Sequence, residues 1–313
     1  MKEGQNDSAG ILVIGSSNTD MVVKSNRIPL PGETILGGDF FMNPGGKGAN
    51  QAVAAARLGG KVAFIARVGS DIFGEQAIAH FKQEGIDTLG VIIDPLHASG
   101  IALITVDEFG ENCIVVASGA NGFLLPEDIL QHKNKITEAG IILLQLEIPL
   151  ETVNEVVALA RVNHKKVILN PAPACSLPKE IFTDLFLLTP NRLEAEMLTG
   201  IKIESLSDCE NAAQIFEAKG VRNSIITLGE NGAYVSSKTF AGHIPSIKVQ
   251  AADTTAAGDV FTAAVAVALA EDQSMETAVR FATKAAAISV SRQGAQASAP
   301  YRKEMGGEVN SER

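Results

Sequence analysis

The chain has 313 residues, 46% of them hydrophobic, with 26 Lys+Arg against 36 Asp+Glu and a formal net charge of −10 at pH 7. That apolar share excludes disorder for the body of the chain. The acidic balance argues against a non-specific binder of nucleic acid or of an anionic membrane, whose phosphates it would repel, while leaving room for a local pocket for a phosphorylated metabolite.

In chain order, Ile11–Ile14 is a short aliphatic run halted by Gly15, the pattern of a strand buried on both faces in a parallel sheet. Met21–Phe41 alternates and is β-prone. Gln51–Leu58 has helical spacing and stops at Gly59; Val62–Ala66 is a second aliphatic run; Phe73–Glu84 is a helix that stops at Gly85. Gly100–Ala117 reads as a hairpin, with Asp107–Gly110 turning between Ile101–Val106 and Asn112–Val116. Pro126-Glu127-Asp128 opens a helix with an early proline and an acidic first turn. Further buried strands are expected at Ile141–Leu146, Val167–Leu169, Leu185–Leu188 and Ser224–Leu228, with a helix over Cys209–Lys219 ending at Gly220 and another over Val260–Ala270.

Strand–helix alternation of this kind implies an α/β fold: one doubly wound, mostly parallel sheet flanked by helices, in a single domain over residues 1–313. Two stretches, about 20–44 and 99–117, break the rhythm and read together as a small antiparallel β lid. Such a flap either closes on a ligand and excludes water, or is a surface embellishment or a dimer contact. Cys113, Cys175 and Cys209 stand far apart without a CxxC pair, which gives neither a disulfide framework nor a zinc site. Met1–Gly10 lacks the layout of a signal peptide and no apolar run reaches the ~18 residues that span a bilayer, so a soluble, cytoplasmic protein is expected. The polar tail Gly306–Arg313 reads as frayed.

The strongest chemical signal is Asp253-Thr254-Thr255-Ala256-Ala257-Gly258-Asp259 ahead of the small-residue helix. Small residues at a helix start leave backbone N–H groups open to an anion. An acid beside a phosphate site would repel the ligand unless it takes a proton from an attacking hydroxyl while the amides hold the phosphoryl group; the alternative is that Asp259 only complements the helix dipole. Gly45-Gly46-Lys47-Gly48-Ala49-Asn50-Gln51 is not a P-loop, and its Lys47 and Asn50 suit a polyhydroxylated ligand as well as a phosphate. Asn18 and Asp20 follow the first strand, where α/β ligands bind, and together can serve vicinal hydroxyls; singly, each is a turn-former or cap. Thr227–Gly232 either admits a nucleotide or is a plain strand-to-strand turn. Asn191 and Glu194, three apart, either orient metal-bound water or cap a helix, and Glu147 is either strand-end solvation or a ligand contact.

These motifs, with Asn18-Thr19-Asp20, Pro31-Gly32-Glu33-Thr34, Gln145-Leu146-Glu147 and Asn170–Ala174, resemble the PfkB/ribokinase-like carbohydrate kinase family, in order from Ile11 to Pro300. The resemblance implies ATP-dependent phosphorylation of the primary hydroxyl of D-ribose to ribose-5-phosphate. It casts Asp259 as the general base and Ala256, Ala257 and Gly258 as the anion hole. Asn18, Asp20, Gly46, Lys47, Asn50 and Glu147 would contact the sugar. Asn191, Thr227, Gly229 and Gly232, with Gly258, would lie along ATP, and Glu194 near Mg²⁺. A monovalent cation, usually K⁺, would sit at Asp253, Thr255, Ser289, Arg292, Gly294 and Ser298, and the lid would form a homodimer contact. Ala256 stands where many relatives have Gly. Kinases of deoxyribose, other sugars or nucleosides share nearly the same motifs, and a non-catalytic sugar- or nucleotide-binding regulator is the competing class. A dinucleotide oxidoreductase is disfavoured, since Gly15-Ser16-Ser17-Asn18 follows the first strand where Gly-x-Gly-x-x-Gly would be needed.

Overall fold

The computed structural model describes residues 9–183 and 185–306. Residues 1–8 and the tail after Gly306, on which the leader and fraying expectations fall, lie outside them. The chain runs β1 (Ile11–Ile14), β2 (Asn18–Lys24), β3 (Phe40–Gly45), α1 (Lys47–Arg57), β4 (Val62–Gly69), α2 (Ile72–Gln83), β5 (Asp87–Asp94), β6 (Gly100–Val106) and β7 (Asn112–Ala117). It continues through α3 (Pro126–Gln131), α4 (Lys133–Glu138), β8 (Ile141–Leu144), α5 (Leu150–Val162), β9 (Lys166–Leu169), α6 (Lys179–Phe182), β10 (Leu187–Leu188), α7 (Arg192–Thr199) and α8 (Leu206–Ala218). The last third holds β11 (Ser224–Thr227), β12 (Ala233–Ser236), β13 (Ala241–Ile244), α9 (Ala257–Ala270), α10 (Met275–Val290) and α11 (Ala295–Ser298).

Nine strands form the main sheet in the order β13-β12-β11-β10-β9-β8-β1-β4-β5, parallel except for the β11–β12–β13 edge. Successive β1 side chains feed opposite faces, and this explains its unbroken aliphatic sequence. Ile11 and Val13 pack with α1, α9 and α10, while Leu12 and Ile14 pack with α3, α5 and α8. Helix α9 is the innermost element: twelve of its fourteen residues are buried, and it is apolar nearly all round because α1 and α10 cover it. Among the described residues no helix is long and apolar enough to cross a membrane.

The second sheet has the order β3-β2-β6-β7. Its outer ladders are antiparallel, but the central β2–β6 ladder is parallel, because both strands leave the carboxyl edge of the main sheet in the same direction. In this register Met42, Met21, Leu103 and Val115 line up across one face, with Asp20, Asn43 and Ala102 on the other. Within the β-prone stretch Met21–Phe41, the ends belong to β2 and β3 and residues 25–39 form no strand; Pro29, Pro31 and Gly32 interrupt the pairing.

Candidate active site

The candidate residues collect at the carboxyl ends of the parallel strands. Asn18 and Asp20 follow β1, Glu147 follows β8, Asn191 follows β10, and Thr227 ends β11. From the opposite helix layer come α1, bearing Lys47 and Asn50, and α9, bearing Asp259 in its first turn. Gly46 caps α1 at φ +88°, where a Cβ would come 2.7 Å from the Asn18 amide nitrogen. A glycine is therefore what lets the loop lie against β2.

Asp259 is 5% exposed and points into this junction. Its Oδ2 accepts from Asn50 Nδ2 and its Oδ1 from Gln51 Nε2, both at 3.0 Å. Burial raises its pKa, against the pull of the Lys47 ammonium and of the two amide donors, and Glu147 adds to the rise. At the start of α9, Ala256 takes the left-handed conformation at φ +58°. The Ala257 amide donates to Thr254 O at a long 3.3 Å, so it is partly committed to the turn. Among the described residues the amides of Ala256, Gly258 and Asp259 have no acceptor. A buried carboxylate therefore stands beside open donors at a helix N-terminus, an arrangement suited to taking a proton next to a bound anion.

Lys47 is the cationic centre. Burial works against its charge, but Asp259, Glu147, Glu194 and Asp20 outweigh that and raise its pKa. Asp20 accepts no hydrogen bond among the described residues; burial first, and Glu147 second, lift its pKa to about 6, with Lys47 opposing. Glu147 accepts from Ser16 Oγ at 2.5 Å and from the Lys47 amide at 3.0 Å, so it ties the start of α1 to the end of β1 instead of serving as strand-end solvation. Asn18 Oδ1 accepts from Asn121 Nδ2 at 2.7 Å, which leaves its own amide NH₂ for the site. Asn50 Oδ1 is buried without a partner.

Asn191 and Glu194 form a reciprocal capping box on α7, with 2.8 Å bonds in both directions, so the capping role read from their spacing is real. Glu194 is nonetheless buried, and burial raises its pKa, with Lys47 and Asp259 both acting on it. Thr227 pairs with Asn191 in an isolated parallel bridge. Gly229 and Gly232 lie in the turn between β11 and β12, and a Cβ on Gly232 would strike the backbone of 244–246, so that glycine has a packing reason of its own. Asp253 binds the amide and hydroxyl of Thr255 and the amide of Gly294, which hold its pKa down despite burial. Ser289 and Ser298 share a 2.7 Å hydroxyl contact, while the Arg292 guanidinium is engaged at 2.5 Å by Glu304 and its amide by Ser289 O. Among the described residues no cluster of three His, Cys, Asp or Glu can hold a metal ion. Of Asp253, Thr255, Ser289, Arg292, Gly294 and Ser298, Asp253 alone carries a carboxylate. Two surface clefts of about 290 and 410 Å³ lie at the amino ends of β9 and β11 and contain none of these residues. Sequence reading gave no role to Gln51, Gln145, Asn121 or Ser16, whose partners lie about a hundred residues or more away.

Residues 8–302 match the profile described as pfkB family carbohydrate kinase. The chain is 45% identical to the ribokinase of Haemophilus influenzae, covering 94% of this chain and 96% of that protein. It is 38% identical to the deoxyribokinase of Salmonella typhimurium, covering 93% and 95%. The structure of Arabidopsis thaliana ribokinase complexed with ribose and ATP superposes with a TM-score of 0.89 at 33% identity, over 95% of this chain and 97% of that one.

Proposed function

Because the chain belongs to the pfkB family of carbohydrate kinases, we propose that it transfers the γ-phosphoryl group of ATP to the primary hydroxyl of D-ribose, giving ribose-5-phosphate and ADP. The observation that carries this reading is the buried Asp259 carboxylate beside the open amides of Gly258 and Asp259 at the head of α9. The sugar hydroxyl oxygen attacks the γ-phosphorus and the bond to the β,γ-bridging oxygen breaks. The hydroxyl proton passes to Asp259. The α9 amides receive the equatorial phosphoryl oxygens, and Lys47 balances the charge gathered there.

The sugar lies against Asn18, Asp20, Gly46, Lys47, Asn50 and Glu147. Asp20, without a hydrogen-bond donor of its own, and Asn50, with a buried orphan oxygen, support this placement. ATP lies along Asn191, Thr227, Gly229 and Gly232. Glu194 keeps one carboxylate oxygen outside its capping box and is the group that would hold the hydration shell of Mg²⁺, which neutralises phosphate charge when bound. A monovalent cation such as K⁺ would be held at Asp253, Thr255, Ser289, Arg292, Gly294 and Ser298, several through backbone carbonyls, with Asp253 the one carboxylate of the set. The four-stranded sheet acts as the lid, and its outer face, with Phe40, Met42, Leu103 and Val115 between 48% and 62% exposed, supports a homodimer contact.

A second acceptor, deoxyribose, is favoured by the deoxyribokinase relatives at 38% identity. A coupled ADP-release assay across ribose, deoxyribose, fructose and adenosine, with and without K⁺, decides. The highest kcat/KM is expected for ribose, with activation by K⁺; no product from any acceptor would leave a non-catalytic binding protein.

A further inference from the structure

Behind Asp259 lies a second row of polar side chains cut off from solvent. Gln51 and Gln145 are both 0% exposed. Gln51 Nε2 donates to Asp259 Oδ1 at 3.0 Å, and Gln51 Oε1 accepts from Gln145 Nε2 at 2.6 Å. Among the described residues Gln145 Oε1 has no partner. It abuts Gly15, where a Cβ would fall on that same oxygen. The polarity of the row is dictated by chemistry: a carboxylate only accepts, so Gln51 must turn its NH₂ toward Asp259 and its oxygen toward Gln145, which must then donate. The row leaves one buried acceptor empty.

We propose that Gln51 and Gln145 form a fixed amide relay that orients the Asp259 carboxylate toward the sugar hydroxyl, with Gln145 as a positioning residue two hydrogen bonds from the base. The proposal rests on the reading of Asp259 as that base. Without the Gln145 donor nothing holds the far side of the Gln51 amide, so its NH₂ can swing off the line to Asp259 Oδ1, loosening the plane in which Asp259 is held. The charged groups acting on Asp259 from the neighbouring elements are Lys47 of α1, Glu147 after β8 and Glu194 of α7, and none of these contacts changes with residue 145. Losing an oriented donor therefore moves Asp259 in one direction only, toward a higher pKa.

The test is Gln145→Met, which keeps length and apolar volume, removes the orphan oxygen and orphans Gln51 Oε1 in its place. These two changes offset, so thermal stability is expected to stay near the parent value. In the ADP-release assay with ribose, kcat is expected to fall about 10–100-fold, the scale of a misplaced reacting group. KM for ribose and ATP should hold within about twofold. The acid limb of the kcat–pH profile should move to higher pH, and a carbon-13 titration of the Asp259 carboxyl should move with it. Gln51→Met should give the same phenotype, and the double variant should be no worse than either single one, as members of one chain are non-additive. Parental kcat and an unmoved Asp259 titration in a folded Gln145→Met or Gln51→Met protein overturn the relay, as do additive effects. The carboxyl titration needs no turnover, so an inactive parent would sink the kinase reading while the relay was still judged.

Discussion

Asp20 is held in a state that favours its neutral form, and Asp20→Asn exposes the consequence. Its pKa is pushed up to about 6 in the folded protein from an ordinary 3.8, chiefly by burial and secondarily by Glu147. At about 1.36 kcal/mol per unit, that gap means folding at neutral pH costs up to about 3 kcal/mol at this one carboxylate. The sign is the reverse of a salt-bridged acid: the folded state binds the extra proton, so stability falls as pH rises from about 4 to about 6 and stays low above. Asparagine keeps the shape and removes the charge. The variant should therefore gain up to about 3 kcal/mol in urea unfolding at pH 7.5. About 1.4 kcal/mol of that gain should vanish at pH 5, where protonation already relieves the parent. The same variant should lose affinity for ribose by calorimetry, since the destabilised carboxylate is the one proposed to meet the sugar. An unchanged unfolding midpoint at pH 7.5, or a gain equally large at pH 5, would refute the reasoning.

Lys47→Met removes the cation that lowers the pKa of Asp20, Glu194 and Asp259; protonation of these three should become more favourable, so the variant should lose stability between pH 5 and 8 relative to the parent, with KM for ribose raised. Gly48→Ala should cost about 1–3 kcal/mol in urea unfolding, because its Cβ would lie 2.6 Å from the backbone of Gly15 and Ser16 and push α1 off β1. Arg57→Met should cost about 3–5 kcal/mol: Arg57 meets Glu84 at 2.6 Å with both side chains almost covered, and also binds the carbonyls of Gln296 and Ala299. A loss under about 1 kcal/mol would mean the pair behaves as an exposed one.

The central strands β1, β4, β8 and β9 were legible because burial on both faces writes an unbroken aliphatic run. The edges were not. Strand β5, with Asp87 and Asp94 at its ends, and β13, with Gly242 inside it, carry the mixed sequences of strands covered on fewer sides, while the buried β12 has only four residues, too short a run to stand out. Helix α1 begins at Lys47, ahead of the expected Gln51, and α9 at Ala257, ahead of Val260, because Gly46 and Ala256 take positive φ and turn the chain directly into the first helical turn. Glycine-rich and small-residue stretches hide such starts, since their propensity signal is weak. The chemistry-bearing motifs were readable one by one, but their assembly was not. Asn50 and Gln51 meet Asp259 across more than 200 residues of chain, and Gln145, quoted within the motif Gln145-Leu146-Glu147, had no partner that its own sequence neighbourhood could reveal. Glu147 has an additional role that its readings did not name, as an acceptor for the first amide of α1.

The proton acceptor at the head of α9 is tested most directly by single-turnover ADP release in Asp259→Asn with saturating ribose and ATP. The account predicts a fall of about 10²–10⁴-fold, the ordinary worth of a general base, with ribose binding retained by calorimetry. Turnover within about tenfold of the parent, a difference of only about 1.4 kcal/mol, would contradict it.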